Sequence, residues 1–179
     1  MHTYRMTLAY DGSRYNGWQK QGNTKNTIQE KLETLLTRLI GEEIEVAGSG
    51  RTDAGVHAMG QVVSFHTSAK QYCTALLSDI RRYLPDDIGA LELSEAAPRF
   101  HARLNAVGKT YVYRVWNSDA PNVFERKYLY TLPDTLDLAA METAAAALTG
   151  THFDNLPIQF KKLFVKSVSH KYLLSRNGR

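Results

Sequence analysis

The chain has 179 residues and a formal net charge of +4, a size that suits one domain or two small, intimately packed subdomains. Hydrophobic residues make up 43% of it, which excludes wholesale disorder, while no apolar run nears the roughly 20 residues of a membrane helix and the N-terminus has no apolar signal core. A single cysteine, Cys73, rules out an internal disulfide and fits a reducing compartment, so a cytoplasmic protein without a membrane partner is expected.

The segment "TYRMTLAY" alternates as a strand does and ends at the turn dipeptide Asp11-Gly12. Next, in "TIQEKLETLLTRLIG", Thr27 and Glu30 have the spacing of a capping box. Ile28, Leu32, Leu35, Leu36 and Leu39 form one helical face, and Gly41 stands where a helix end favours glycine. "EIEVAG" reads as a short strand entering a glycine-rich stretch, and "GQVVSFHT" as the strand leaving it. A second helix is expected from about Ala69 to Tyr83, stopped ahead of Leu84-Pro85, with a further strand in "IGALELSEAAP".

The order strand, helix, strand, strand, helix, strand predicts an α+β fold. It is the ferredoxin-like β-α-β-β-α-β arrangement, an antiparallel sheet with helices on one face. After Pro98 the pattern restarts. "KTYVYRVWN" and "RKYLYTL" read as strands and "DTLDLAAMETAAAALTG" as a helix, whereas "FKKLFVKSVSHKYLLSRNGR" fits a strand or a helix equally. The expected organisation is an N-terminal subdomain over residues 1–105 and a related but incomplete one over 106–179. Six of the 22 Lys and Arg residues, but one of the 18 Asp and Glu residues, lie in residues 151–179. Such a basic tail suits a polyanion such as nucleic acid, or a solvated end.

The stretch "GSGRTDAGVHAMGQVVSFHT" is the most unusual in the chain. Three glycines, Gly48, Gly50 and Gly55, surround Arg51 and Asp53 and are followed by His57. If the flanking strands are neighbours, Arg51, Thr52 and Asp53 lie on a loop at the end of the sheet. Only Asp53 and His57 are obvious ligands there, and no Cys or His cluster has metal spacing, so no metal is expected. Local chemistry leaves a functional acid and a structural turn both open for Asp53. Upstream, "AYDGSRYNGWQKQ" interleaves Tyr10, Tyr15 and Trp18 with Arg14, Lys20, Gln19 and other amides. That mixture can stack bases and contact phosphates, or its aromatics, Trp18 above all, can fold into the core. "RFHAR" adds His101 and Arg103.

The segments "YDGSRYNGWQ", "GSGRTDAGVHAMGQVVSFHT", "YLPDDI", "FHAR" and "KTYVYRVWN" occur in this order. Together they resemble the TruA family of tRNA pseudouridine synthases over about residues 3 to 118, continuing along the alanine-rich helix to Gly150. The resemblance implies a homodimeric, cofactor-free isomerase that converts uridine to pseudouridine in the anticodon stem-loop of tRNA. Its target, roughly nucleotides 38 to 40, would be taken out of the base stack. The family's catalytic nucleophile falls on Asp53, and its base-displacing arginine on Arg51. A carboxylate nucleophile must be ionised, and a cationic neighbour helps to keep it so. Tyr111 matches the family's active-site tyrosine, whose stacking on the target base is worth about 1–3 kcal/mol. Tyr113, two positions on, points the same way along the strand and fits a core position. His57, Arg14, Tyr15, Trp18, Gln19 and Arg103 are the expected further contacts to the RNA. Relatives in that family usually continue to a "GEHDF" segment and a helix whose arginine pairs with the nucleophile. Here Phe153 and Asp154 stand in the opposite order within "LTGTHFDNLPIQF", and residues 155–179 do not match that helix. Slow turnover, with RNA binding better preserved, is the resulting expectation, and a noncatalytic RNA-binding protein of the same fold is the alternative.

Overall fold

Tyr4, Met6, Leu8 and Tyr10 recur at every second position of strand β1 (His2–Tyr10), and all four are buried. Side chains two apart point to one face of a sheet, so this strand has a committed inner face. The computed structural model of the chain describes residues 1–147 and 160–167, and the chain divides into two compact units, Met1–Ala106 and Val107–Arg179.

In the first unit β1 is followed by α1 (Ile28–Ile40), β2 (Val46–Gly48), β3 (Ala58–Thr67), α2 (Cys73–Tyr83) and β4 (Ile88–Ala96). The sheet order is β2-β3-β1-β4 with every neighbouring pair antiparallel. This is the expected split β-α-β-β-α-β arrangement. Register places Tyr4 opposite Phe65 and Met6 opposite both Val63 and Leu93. The Tyr4 and Phe65 rings stack with centroids 5.3 Å apart. Ile28, Leu32, Leu35 and Leu36 of α1 and Leu76 and Ile80 of α2 complete this core, with Leu39 packed partly buried against it.

The ends of α1 follow the sequence. Thr27 Oγ1 accepts from the Glu30 amide, and Gly41 closes the helix at φ 82°. Thr27 is fully buried, and its hydroxyl satisfies an amide that the helix itself cannot. Thr27→Ala should therefore lower stability by about 1 kcal/mol, measured as a fall in the denaturant midpoint at unchanged m-value.

Two elements are shorter than their sequence patterns suggest. α2 starts at Cys73 rather than near Ala69 because the buried Tyr4 hydroxyl accepts the Gln71 amide at 2.7 Å. β2 begins at Val46 rather than Glu43 because side chains of α1 take over the backbone there. Thr37 Oγ1 accepts the Ile44 amide, and Glu33 accepts the Val46 amide, each at 3.0 Å. Gln29 Nε2 donates to the Val46 carbonyl at 3.1 Å and to Glu33 at 2.8 Å. Arg81 of α2 does the same service at the other margin of the sheet, donating to the carbonyls of Ala90 at 2.8 Å and Leu91 at 2.6 Å.

The second unit contains β5 (Lys109–Asn117), β6 (Tyr130–Leu132), α3 (Leu138–Ala147) and β7 (Phe160–Ser167). Its sheet order is β6-β5-β7, and both pairings are parallel. The antiparallel sheet is thus a property of the first unit. Parallel neighbours need long crossovers, which the segment before β6 and the α3 connection supply. The "RKYLYTL" strand is confined to its last three residues, since Tyr128 closes a turn onto the Glu125 carbonyl. Asp137 caps α3 by accepting the Ala140 amide at 2.9 Å. "FKKLFVKS" is a strand, while residues 168–179, Phe153 and Asp154 and the side chains of the basic tail lie outside the described residues.

Candidate active site

The loop between β2 and β3, residues 49–57, has no regular secondary structure, so its shape depends on what it is tied to. Its main partner is the segment that follows β1. The Trp18 amide donates to the Thr52 carbonyl at 2.9 Å, and the Gly55 amide to the Tyr15 carbonyl at 3.3 Å. The Gly12 amide donates to His57 Nδ1 at 3.2 Å, and that nitrogen lies 3.0 Å from Asp11 Oδ1. Which of these two contacts carries a hydrogen depends on the histidine tautomer. Within the loop, the Val56 amide closes a turn onto the Asp53 carbonyl at 3.2 Å.

Gly17 is one of the places where the two segments touch closely. Its φ is 91°, and a Cβ there would come within 2.7 Å of the Thr52 carbonyl oxygen and 3.2 Å of the Ala54 nitrogen. Only glycine adopts that backbone conformation freely and leaves room for this approach. The Tyr10 hydroxyl reaches the same place from β1 and lies 2.8 Å from Thr52 Oγ1. Burial pushes the Tyr10 phenol above its ordinary value, so it stays protonated and able to donate.

Braced from behind in this way, the loop turns its charged side chains outward. Arg51 and Asp53 are exposed, Thr52 between them is half-buried, and His57 is half-buried. A carboxylate and a guanidinium two residues apart, on a fixed backbone and open to solvent, can meet a bulky electrophile.

The expected RNA contacts divide into two groups. Tyr15 and Trp18 are core residues, 6% and 3% exposed, the alternative that the sequence left open for Trp18. Buried rings of this kind shape the loop and offer no stacking platform in this structure. Tyr15 donates its hydroxyl to Asp87 Oδ1 at 2.6 Å, and Trp18 stacks on Tyr10. Arg14 is exposed but engaged, its guanidinium donating to Asp87 Oδ2 at 2.6 Å and 2.9 Å. Gln19 and Arg103 are exposed. The segment carrying Arg103 is anchored to the middle of β3 by the Ala102 amide on Ser64 Oγ, 3.0 Å. Tyr111 is half-buried on β5 and Tyr113 is exposed; both belong to the second unit.

Asp87 is the residue here that the sequence did not single out by itself. It lies 73 positions from Arg14, and no local pattern signals such a contact. Burial pushes the Asp87 carboxyl up, but the Tyr15 hydroxyl and the Arg14 guanidinium outweigh it and hold it below its ordinary value. A group with a depressed folded value adds stability above its unfolded value and loses it as pH falls. The parent should therefore melt above Asp87→Asn at neutral pH, and this advantage should shrink as the pH drops below about 4. Thermal melts of both proteins across that range provide the measurement.

Among the described residues no group of three or more His, Cys, Asp or Glu side chains could hold a metal, and no helix is long and apolar enough to cross a membrane. A family model described as tRNA pseudouridine synthase matches residues 6–103. A tRNA pseudouridine synthase A 2 of Bacillus cereus (strain ZK / E33L) is 43% identical over 182 residues, covering 99% of this chain and 74% of the relative. A tRNA pseudouridine synthase A of Moorella thermoacetica is 48% identical over 153 residues, or 85% of this chain and 62% of the relative. A tRNA pseudouridine synthase A 1 of Clostridium tetani is 46% identical over 152 residues, again 85% and 62%. The chain thus spans 62% to 74% of the length of these curated relatives.

Proposed function

This chain belongs to the tRNA pseudouridine synthase family, and on that premise we propose that it isomerises uridine to pseudouridine in the anticodon stem-loop of tRNA, with Asp53 as nucleophile. The observation that carries the reading is the exposed Asp53 beside the exposed Arg51 on a loop whose backbone is held by the Tyr10–Trp18 segment. The carboxylate attacks the target nucleoside and the bond between ribose and base nitrogen breaks. The base turns and rejoins through carbon C5 as the carboxylate is released; the C5 proton passes to solvent and the freed ring nitrogen takes one up. Atoms are conserved between uridine and pseudouridine, so the reaction consumes no co-substrate.

Arg51 occupies the space vacated by the extruded base, and Tyr111 packs against that base, whose removal from the stack costs a few kcal/mol. Arg14, Gln19, His57 and Arg103 are the proposed polar contacts to RNA, Arg14 by exchanging Asp87 for phosphate. Tyr15 and Trp18 act through the shape of the loop. The same premise leads us to expect a cytoplasmic homodimer, which sedimentation of the purified chain would check.

The deciding experiment is tritium release from tRNA labelled at uridine C5, with the parent and Asp53→Asn run in parallel. Release by the parent alone supports the reading. If neither releases tritium, a gel shift with the same tRNA distinguishes a chain that binds RNA without turnover from one that does not bind.

A further inference from the structure

We propose that Tyr10 is a positioning residue for the Asp53 loop, acting through the side chain of Thr52; this rests on the reading of Asp53 as nucleophile. Tyr10 is the last residue of β1 and only 4% exposed. Its strand is paired on both sides, by β3 and by β4, so the ring is carried by the best-fixed element of the unit. The ring also stacks on Trp18, with centroids 6.2 Å apart and planes 29° apart. From this anchored ring the hydroxyl meets Thr52 Oγ1 at 2.8 Å.

Thr52 directly precedes Asp53, and it is held at two points. Its side chain meets Tyr10, and its carbonyl accepts the Trp18 amide. The exposed residues on either side, Arg51 and Asp53, therefore project from a pinned point. A buried tyrosine hydroxyl needs some partner in any case. What distinguishes Tyr10 is that its partner adjoins the reacting carboxylate. Tyr4 supplies the contrast: equally buried, its hydroxyl ties down Gln71 at the entrance to α2, far along the chain from the loop.

Attack by a carboxylate depends on placement, and misplacement by about 1 Å can cost about 100-fold in rate. Tyr10→Phe and Thr52→Val should each lower kcat for tritium release by about 10- to 100-fold while KM changes little. The double variant should be no worse than the more damaged single, because both remove the same contact. Thr52→Ser keeps the oxygen and should retain most of the parental kcat. Tyr4→Phe should lower the melting temperature to a similar degree and leave kcat unchanged. Amide exchange should accelerate at Trp18, Gly55 and Val56 in Tyr10→Phe and not in Tyr4→Phe.

Unchanged kcat in Tyr10→Phe, multiplying losses in the double variant, or an equal kcat loss in Tyr4→Phe would each overturn the proposal. If the parent releases no tritium, the functional reading fails on its own. The exchange measurement then decides the brace separately: acceleration at those three amides sustains it, and unchanged exchange removes it.

Discussion

Asp53→Asn should abolish tritium release while leaving the melting temperature and tRNA affinity close to those of the parent. The side chain is exposed, and its backbone carbonyl, which accepts from Val56, is untouched by the substitution. The fold therefore has little to lose. Catalysis has nearly everything to lose, since an amide is a poor nucleophile and the loop holds no second carboxylate between Gly48 and Ala58. Deleting a nucleophile outright can lower kcat by on the order of 10⁶-fold, beyond the range of a radiochemical assay. Measurable release by the variant would remove Asp53 from its role. An unfolded variant would instead show that the loop carries more of the stability than its exposure indicates.

A large effect on stability is expected at Gly17. Two penalties combine there: a left-handed φ of 91° and a Cβ within 2.7 Å of the Thr52 carbonyl oxygen. The first is of order 1–3 kcal/mol for a non-glycine residue, and crowding a packed site adds about 1–3 kcal/mol. Gly55 makes the comparison clean, because its φ is 79° but nothing lies within 4 Å of a Cβ placed there. Gly55→Ala should therefore show the conformational penalty alone, and Gly17→Ala should lose roughly twice as much, as read from denaturant midpoints. Equal losses would mean that the two segments separate easily, and the loop would then be far less rigid than its contacts imply.

Much of the first unit was legible because its signals are local or periodic. Alternation in "TYRMTLAY", the Thr27 and Gly41 caps and the apolar face of α1 each act within a few residues. The position of Asp53 at a sheet end followed from the two strands around it. The shortened starts of β2 and α2 were not legible, because they depend on Glu33 and Thr37 reaching Val46 and Ile44, and on Tyr4 reaching Gln71. The placement of Tyr15 and Trp18 shows the same limit. An aromatic residue in a loop reads identically whether it faces a base or the core, and here Asp87, Gly48 and Tyr10 decide for the core. In the second unit the alternating "KTYVYRVWN" marked a strand correctly, but alternation carries no information on whether its neighbours run parallel.

The side chains that finish the two outer strands restrict how this protein can associate. An open sheet normally offers its margins as templates on which a foreign strand can polymerise. On one margin the paired Gln29 and Glu33 present a donor and an acceptor to Val46, as an adjoining strand would. On the other, Arg81 occupies the carbonyls of Ala90 and Leu91. A second copy approaching either place finds those backbone groups taken and must first evict a charged or amide side chain. Assembly of this unit by continuous sheet across a symmetry axis is thereby disfavoured at both positions, and fibrillar stacking with it. Any stable complex must instead be built through side chains, on helices, loops or sheet face.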